Sequence, residues 1–325
     1  MLSARYRYVF LPLCAAAVLA TATSTVAQTY PAKAIRLIVP TGPGGSTDTL
    51  GRLLAQKMST ALGQQLVVEN RSGSGGVVGT DMVAKSAPDG YTLLLAYHSH
   101  VINPALYAKL PYDTVKQFIP ITQVAVQPLL FNVHPSLPVK SGKDLIALAR
   151  ARPGQLLYGS AGSGSGGHLA TEIFNSMAGV KMTHVPYKGA SPALIDVIAG
   201  NTQLMVASLI ASLPHVRSGR LRGIGISSPK RSPVVPDVPA IAEALPGYEA
   251  LVSYFLLAPA GTPQEIIAKL HAEAASALKQ ADVVERLARD GAEPVGNTPQ
   301  ETVAYITAEI ARWGKAVQAS GAKAE

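Results

Sequence analysis

The chain has 325 residues, enough for two domains of ordinary size, with 48% hydrophobic and 15% charged residues, 29 glycines and 24 prolines. This composition excludes a disordered chain and fits a loop-rich α/β one. The formal charge of +8 is scattered, with no block of five or six basic residues and no basic–aromatic interleaving, which argues against a nucleic-acid partner.

Residues 1–27 read as a cleavable secretory signal. Arg5 and Arg7 open it, the apolar run 9–20 is too short for a comfortable membrane span, and Thr25-Val26-Ala27 puts small residues ahead of a cut before Gln28. A retained anchor is the weaker alternative, and Leu13 is too large to precede a lipoprotein cysteine at Cys14. Cys14 is the single cysteine, so the mature chain would carry no thiol, disulfide or thiolate metal site. Such a chain tolerates an oxidising compartment, and the periplasm is its expected location. Loss of the two arginines lowers the charge from +8 to +6, a mildly positive balance that suits anions.

In chain order, residues 35–39 read as a strand. Pro40 to Gly45 form a glycine-rich break, and residues 47–62 form a helix with Leu50, Leu53, Leu54, Met58 and Leu62 on one face. Ser46 is the expected N-cap, and Asp48 lies in the first turn, where the helix dipole favours an acid. Strands at 66–69 and 91–96 and a helix at 77–85 complete a β-α-β-α-β series, followed by the polar run Tyr97-His98-Ser99-His100. The long extended run 121–133 is a candidate crossing between lobes, and 250–258 is a candidate return. Between them a second series repeats the plan: strand 156–161, loop 162–167 (GSGSGG), helix 168–177, strand 184–187, helix 192–199, strand 203–207, then a loop with helix over 208–218 and strand 221–226. Helices at 263–278, 283–290 and 298–319, the last with Pro299 in its first turn, are expected to cover the first lobe's sheet. Lobe 1 is therefore expected to be discontinuous, 28–124 with 250–325, and lobe 2 to span 125–249.

In a parallel sheet, ligands sit beyond the carboxyl ends of the strands. Two loops poor in Cβ, each leading into a helix, expose free N–H groups there and suit a carboxylate or phosphate. The hydroxyls of Ser46, Thr47, Ser160 and Ser163 would add donors. The bland alternative is a pair of ordinary tight turns. Gly162, Gly164 and Gly167 satisfy GxGxxG, but the next strand ends in Pro186-Tyr187-Lys188 without the ribose-binding acid, which argues against a dinucleotide site. Ser163 and Ser165 do not lie in GxSxG, so no hydrolase elbow is signalled. His98 and His100 lack a third convergent ligand for a metal; one is expected to border the cleft and the other to be solvated. His134, His184 and His215 read as framework residues, and His168 as either an anion donor or structural. Asp48 is expected to bond N–H groups of its own loop more than to face an anion.

The runs VPTGPGGSTD (39–48), VVENRSGSGG (67–76), APDGYTLLL (87–95), INPALYAKLPYD (102–113), HVPYKG (184–189) and LLAPAGTP (256–263) together resemble the Bug/TctC-type receptors of tripartite tricarboxylate transporters, in order over nearly the whole mature chain. The resemblance implies a two-lobed type II periplasmic-binding-protein fold, each lobe a mainly parallel sheet flanked by helices, joined by two crossing strands. It implies capture of a small organic anion by loops matching 41–48 and 160–168, and two integral membrane subunits as partners. The candidate ligand-binding set is Thr41, Gly42, Gly44, Gly45, Ser46, Thr47, Asp48, His98, Ser99, Ser160, Ala161, Gly162, Ser163, Gly164, His168, Tyr187, Ala207 and Ser208. A monomer is expected, with no cofactor, metal or catalytic residue. The family commonly has Phe-Pro where this chain has Thr41-Gly42, and Asp-Asn where it has Ala207-Ser208. The missing carboxylate implies a ligand without an amine, an aromatic or branched carboxylate among the candidates. A nucleotide-dependent enzyme and a ligand-sensing adaptor are the competing readings.

Overall fold

The structure is a computed structural model that describes residues 30–187 and 189–323; the expected secretory signal and Lys188 lie outside the described residues. The first half runs β1 (Ile35–Val39), α1 (Ser46–Leu62), β2 (Leu66–Asn70), α2 (Val77–Ala84), β3 (Thr92–Tyr97) and α3 (Ser99–Leu106). A 16-residue strand, β4 (Phe118–Val133), then leads to α4 (Gly142–Ala151), β5 (Leu157–Ser160), α5 (Gly166–Ala178), β6 (Thr183–Pro186), α6 (Ala190–Ile198), β7 (Leu204–Ser208), α7 (Leu209–Arg217) and β8 (Arg222–Ile226). The chain returns through β9 (Leu251–Pro259), α8 (Gln264–Leu278), α9 (Ala281–Arg289), the short β10 (Glu293–Pro294) and α10 (Pro299–Ser320).

The strand order is β2-β1-β3-β9-β4-β7-β5-β6, with β8 and β10 also on β4. β1 is parallel to β2 and β3, and β5 is parallel to β6 and β7. β9 is antiparallel to both β3 and β4. β4 therefore belongs to two sheets: residues 118–128 pair with β9, and 129–133 pair with β7 and β8. The return strand works differently. β9 pairs only within the first sheet, and the residue before it, Ala250, donates its N–H to Ser227 O at the end of β8. The strands flanked by helices are near-continuous apolar runs because both faces are covered; Leu93, Leu94, Leu95 and Ala96 of β3 are fully buried.

Two expectations are corrected, and one helix was not anticipated. The polar run 97–100 leads into α3, with His98 as its N-cap. The first crossing begins at Phe118, three residues earlier than the sequence indicates, because its register shifts absorb Pro120. The last helix does not cover the first sheet alone: α10 packs on α3 and β4 and also on α5 of the second half. Its start is fixed by a capping box, Thr298 Oγ1 accepting from Glu301 N while Glu301 accepts from Thr298 N. Further along, Arg312 bonds both the buried Glu309 and Glu249, just ahead of β9.

Candidate ligand-binding site

β1 ends at Val39 and α1 begins at Ser46, with Gly45 as N-cap and no side-chain cap. Ser46 is thus the first helical residue rather than the cap, which leaves the first-turn N–H groups free of any side-chain acceptor. Asp48 is buried in that turn and faces inward. It accepts from Gly44 N (2.9 Å), Asn70 Nδ2 (2.9 Å) and Arg52 Nε (3.0 Å). Burial alone would raise its carboxyl, but these bonds outweigh it and hold the group below the ordinary carboxylate value. The turn needs glycine at 44, where φ is +81°.

The second half repeats the device. β5 ends at Ser160 and α5 begins at Gly166. The N-cap Ser165 accepts from His168 N at 3.4 Å. A Cβ at Gly167 would lie 2.0 Å from Val206 O, so only glycine lets α5 start against β7. Ser160 Oγ bonds both Gly162 N (3.1 Å) and Gly162 O (3.0 Å), and it meets His184 Nε2 at 2.6 Å. Gly164 N donates to His168 Nδ1 at 3.0 Å.

Between the two loops lies a cavity of about 810 Å³. One wall is Thr41, Gly45, Ser46 and Thr47 at the start of α1, with His98 and Ser99 at the start of α3. The facing wall is residues 161–167 with Pro186, Tyr187, Ala190 and Met205 to Ser208, and the floor is Gln127 and Leu129 of β4 with Val252 and Tyr254 of β9. Gly75, Tyr97, Asn103, Leu106, Tyr107 and Lys323 complete the lining. The starts of α1, α3, α5, α6 and α7 all border the space, and all but α5 lack a side-chain cap. Each presents partial positive charge and unclaimed N–H donors. No Asp or Glu is among the described lining residues, and Lys323 is the one ionic side chain there.

Of the 18 candidate residues, Thr41, Gly45, Ser46, Thr47, His98, Ser99, Ala161, Gly162, Ser163, Gly164, Tyr187, Ala207 and Ser208 line this cavity. Gly42, Gly44, Asp48, Ser160 and His168 do not. Gly42 and Gly44 are exposed, while Asp48, Ser160 and His168 are buried, and each makes at least one bond to loop backbone. Tyr187 donates its hydroxyl to Asp196, and burial followed by that carboxylate pushes its pKa up to about 12. His98 borders the cavity with Nδ1 unbonded by protein, and burial lowers its pKa to about 4. His100 is not solvated: it is 2% exposed, edge-on to Phe118 at 5.1 Å, and burial lowers it to about 4 as well. Among the described residues no group of three or more His, Cys, Asp or Glu is arranged to hold a metal.

Sequence reasoning missed Gly75, Tyr97, Asn103, Leu106, Tyr107, Pro186, Ala190, Met205, Val206, the floor residues and Lys323, and of the second loop it did not single out Ser165, Gly166 and Gly167. Gly75 had a usable signal, since NRSGSGG follows a strand at the same sheet edge. Asn103 and Tyr107 lie in the run 102–113 that carries the resemblance, but nothing in that run marked them as site residues; they reach the site by bonding Gly75 O (3.2 Å) and Ser74 O (2.7 Å).

Two α/β halves sharing a continuous strand, with helix starts from both converging on one cavity whose described lining holds no carboxylate, define a two-lobed solute-binding protein. The model of the tripartite tricarboxylate transporter family receptor matches residues 50–322. The chain is 42% identical over 300 residues to protein BugT of Bordetella pertussis, covering 91% of this chain and 92% of that one. Among solved structures it resembles R. palustris Rpa4515 with adipate (40% identity, TM-score 0.79, 90% of this chain and 99% of that one). It also resembles MatC from Rhodopseudomonas palustris with bound malate (34% identity, TM-score 0.75, 89% and 100%). The chain belongs to the TctC family of tripartite tricarboxylate transporter receptors, a family of solute-binding proteins rather than enzymes.

Proposed function

We propose that this receptor works in the periplasm as a monomer, holds a small organic carboxylate without an amine between its lobes, and delivers it to the integral membrane subunits of a tripartite transporter. The lobes would be residues 28–124 with 250–325 and residues 125–249. The observation that carries the proposal is the convergence of helix starts from both halves on a cavity whose described lining contains no carboxylate. An anion there meets donors and dipoles, whereas an ammonium meets no counter-charge. Adipate and malate bound to similar structures support the carboxylate class. Water exclusion on closing would strengthen each N–H···O bond.

The test is a thermal-shift panel on the mature protein, with adipate, malate and phthalate against aspartate and glutamate. A ligand at about 100 times its Kd stabilises by about 2.7 kcal/mol, a rise of several degrees in Tm. The dicarboxylates without an amine are expected to give it. A larger shift with aspartate or glutamate would overturn the proposal.

A further inference from the structure

Behind the second loop, away from the cavity, two imidazoles lie face to face. The rings of His168 (α5) and His184 (β6) are 3.9 Å apart at 10°, and Tyr158 (β5) stacks on His184 at 4.9 Å. Tyr158 is pinned in turn by its hydroxyl, which donates to Glu172 at 2.5 Å. Each imidazole reaches one point of the loop: His168 Nδ1 takes Gly164 N–H, and His184 Nε2 meets Ser160 Oγ.

Counting protons assigns the tautomers. A backbone N–H can only donate, so His168 Nδ1 is bare and its proton sits on Nε2. Ser160 has one proton and two candidate acceptors, Gly162 O and His184 Nε2, while its oxygen also accepts from Gly162 N–H. All of these bonds are made together only if His184 carries its proton on Nε2 and donates to Ser160, which then donates to Gly162 O. Burial, then the neighbouring His184, lowers the His168 pKa to about 3, so the bare Nδ1 persists over the ordinary pH range.

We infer that His168 and His184 are a positioning pair for the ligand loop. By taking Gly164 N–H and locking Ser160 onto Gly162, they decide which loop amides are consumed internally and turn the rest of 161–167 toward the cavity. Neither imidazole touches ligand. Gly162 (φ +129°) and Gly164 (φ +76°) hold backbone angles that side-chain-bearing residues rarely adopt, and the pair supplies the bonds that keep them there. The consequence for binding rests on the receptor reading above; the hydrogen-bond assignment does not.

The experiment compares wild type with His168→Phe, which keeps a stacking ring but removes the acceptor, and His168→Asn, whose Oδ1 occupies about the place of Nδ1. Amide exchange at Gly164, read by NMR without ligand, is expected to quicken at least tenfold in H168F and to return toward wild type in H168N. The Kd for adipate, read by calorimetry, is expected to follow the same order, with a loss of about tenfold in H168F. Unchanged Gly164 exchange in H168F, or an H168N no better than H168F, overturns the inference. Should H168F fail to fold, the wild-type imidazole nitrogen spectrum decides: protonated Nε2 and bare Nδ1 on His168 support the pair, and the opposite tautomer refutes it. If wild type does not bind adipate, the carboxylate reading fails on that probe while the exchange data still judge the pair.

Discussion

At the scale of single residues, a carboxylate beside an anion site would repel its ligand unless it were turned away and neutralised. Asp48 is both: it faces inward and accepts from Gly44, Asn70 and Arg52. Its folded-state pKa is depressed, so its contribution to stability is complete above the unfolded carboxyl value of about 3.9 and is lost as pH falls through the lower, folded value. The Tm of the ligand-free protein should therefore drop in the acid limb, and Asp48→Asn should flatten that limb. At neutral pH Asp48→Ala should cost about 1–3 kcal/mol in a urea titration, because the Gly44 N–H, the half-buried Asn70 amide and Arg52 lose their acceptor. An unchanged midpoint would contradict this account of the loop. The task of Asp48 was legible in the sequence, since a first-turn acid next to bare amides has few other uses. That of His168 was not, because its acceptor role depends on a ring from a different strand stacking behind it.

At the scale of elements, the glycines that matter are those where a neighbour is too close for a Cβ. Gly51 lets α1 lie on Val39 and Leu95, each about 3 Å from where its Cβ would sit, and Gly167 seats α5 on the carbonyl of Val206. Gly167→Ala should push the start of α5 off β7. We expect a cost of about 3 kcal/mol together with weakened ligand binding, because the displaced turn carries the cavity-lining Ser165 and Gly166. Denaturant unfolding with a parallel titration checks both, and an alanine variant with wild-type stability would contradict the packing. The strand–loop–helix units at 35–62 and 157–178 were legible because an apolar run, a glycine break and a 3.6-residue pattern follow one another. α3 was not. Its sequence SHVINPAL holds few strong helix formers and an internal proline, and α10 packing over it supplies what local propensity does not.

For the whole molecule, the organising element is β4. One strand hydrogen-bonds to β9 over most of its length, to β7 over its last five residues and to β8 over its last four, so the two halves are built on one backbone. Residues of the two halves meet across the cavity: Leu106 lies against Gly164, and His98 against Gly166. α10 spans both halves on the outside. Sequence pattern located the crossings, but it could not show that β4 is shared while β9 belongs to the first sheet, because both read as equally apolar extended runs. The site follows from this arrangement. Helix starts from each half face a common space, and under the proposed function selectivity for negative charge would come from backbone amides and dipoles, since no arginine is among the described lining residues.

The most direct test is a ligand-bound crystal structure of the mature protein grown with adipate or malate. The account predicts one carboxylate group within hydrogen-bond distance, directly or through one water, of amides in both 45–47 and 161–167. A carboxylate held by only one loop, or bound outside the cavity between β4 and the two helix starts, would contradict it.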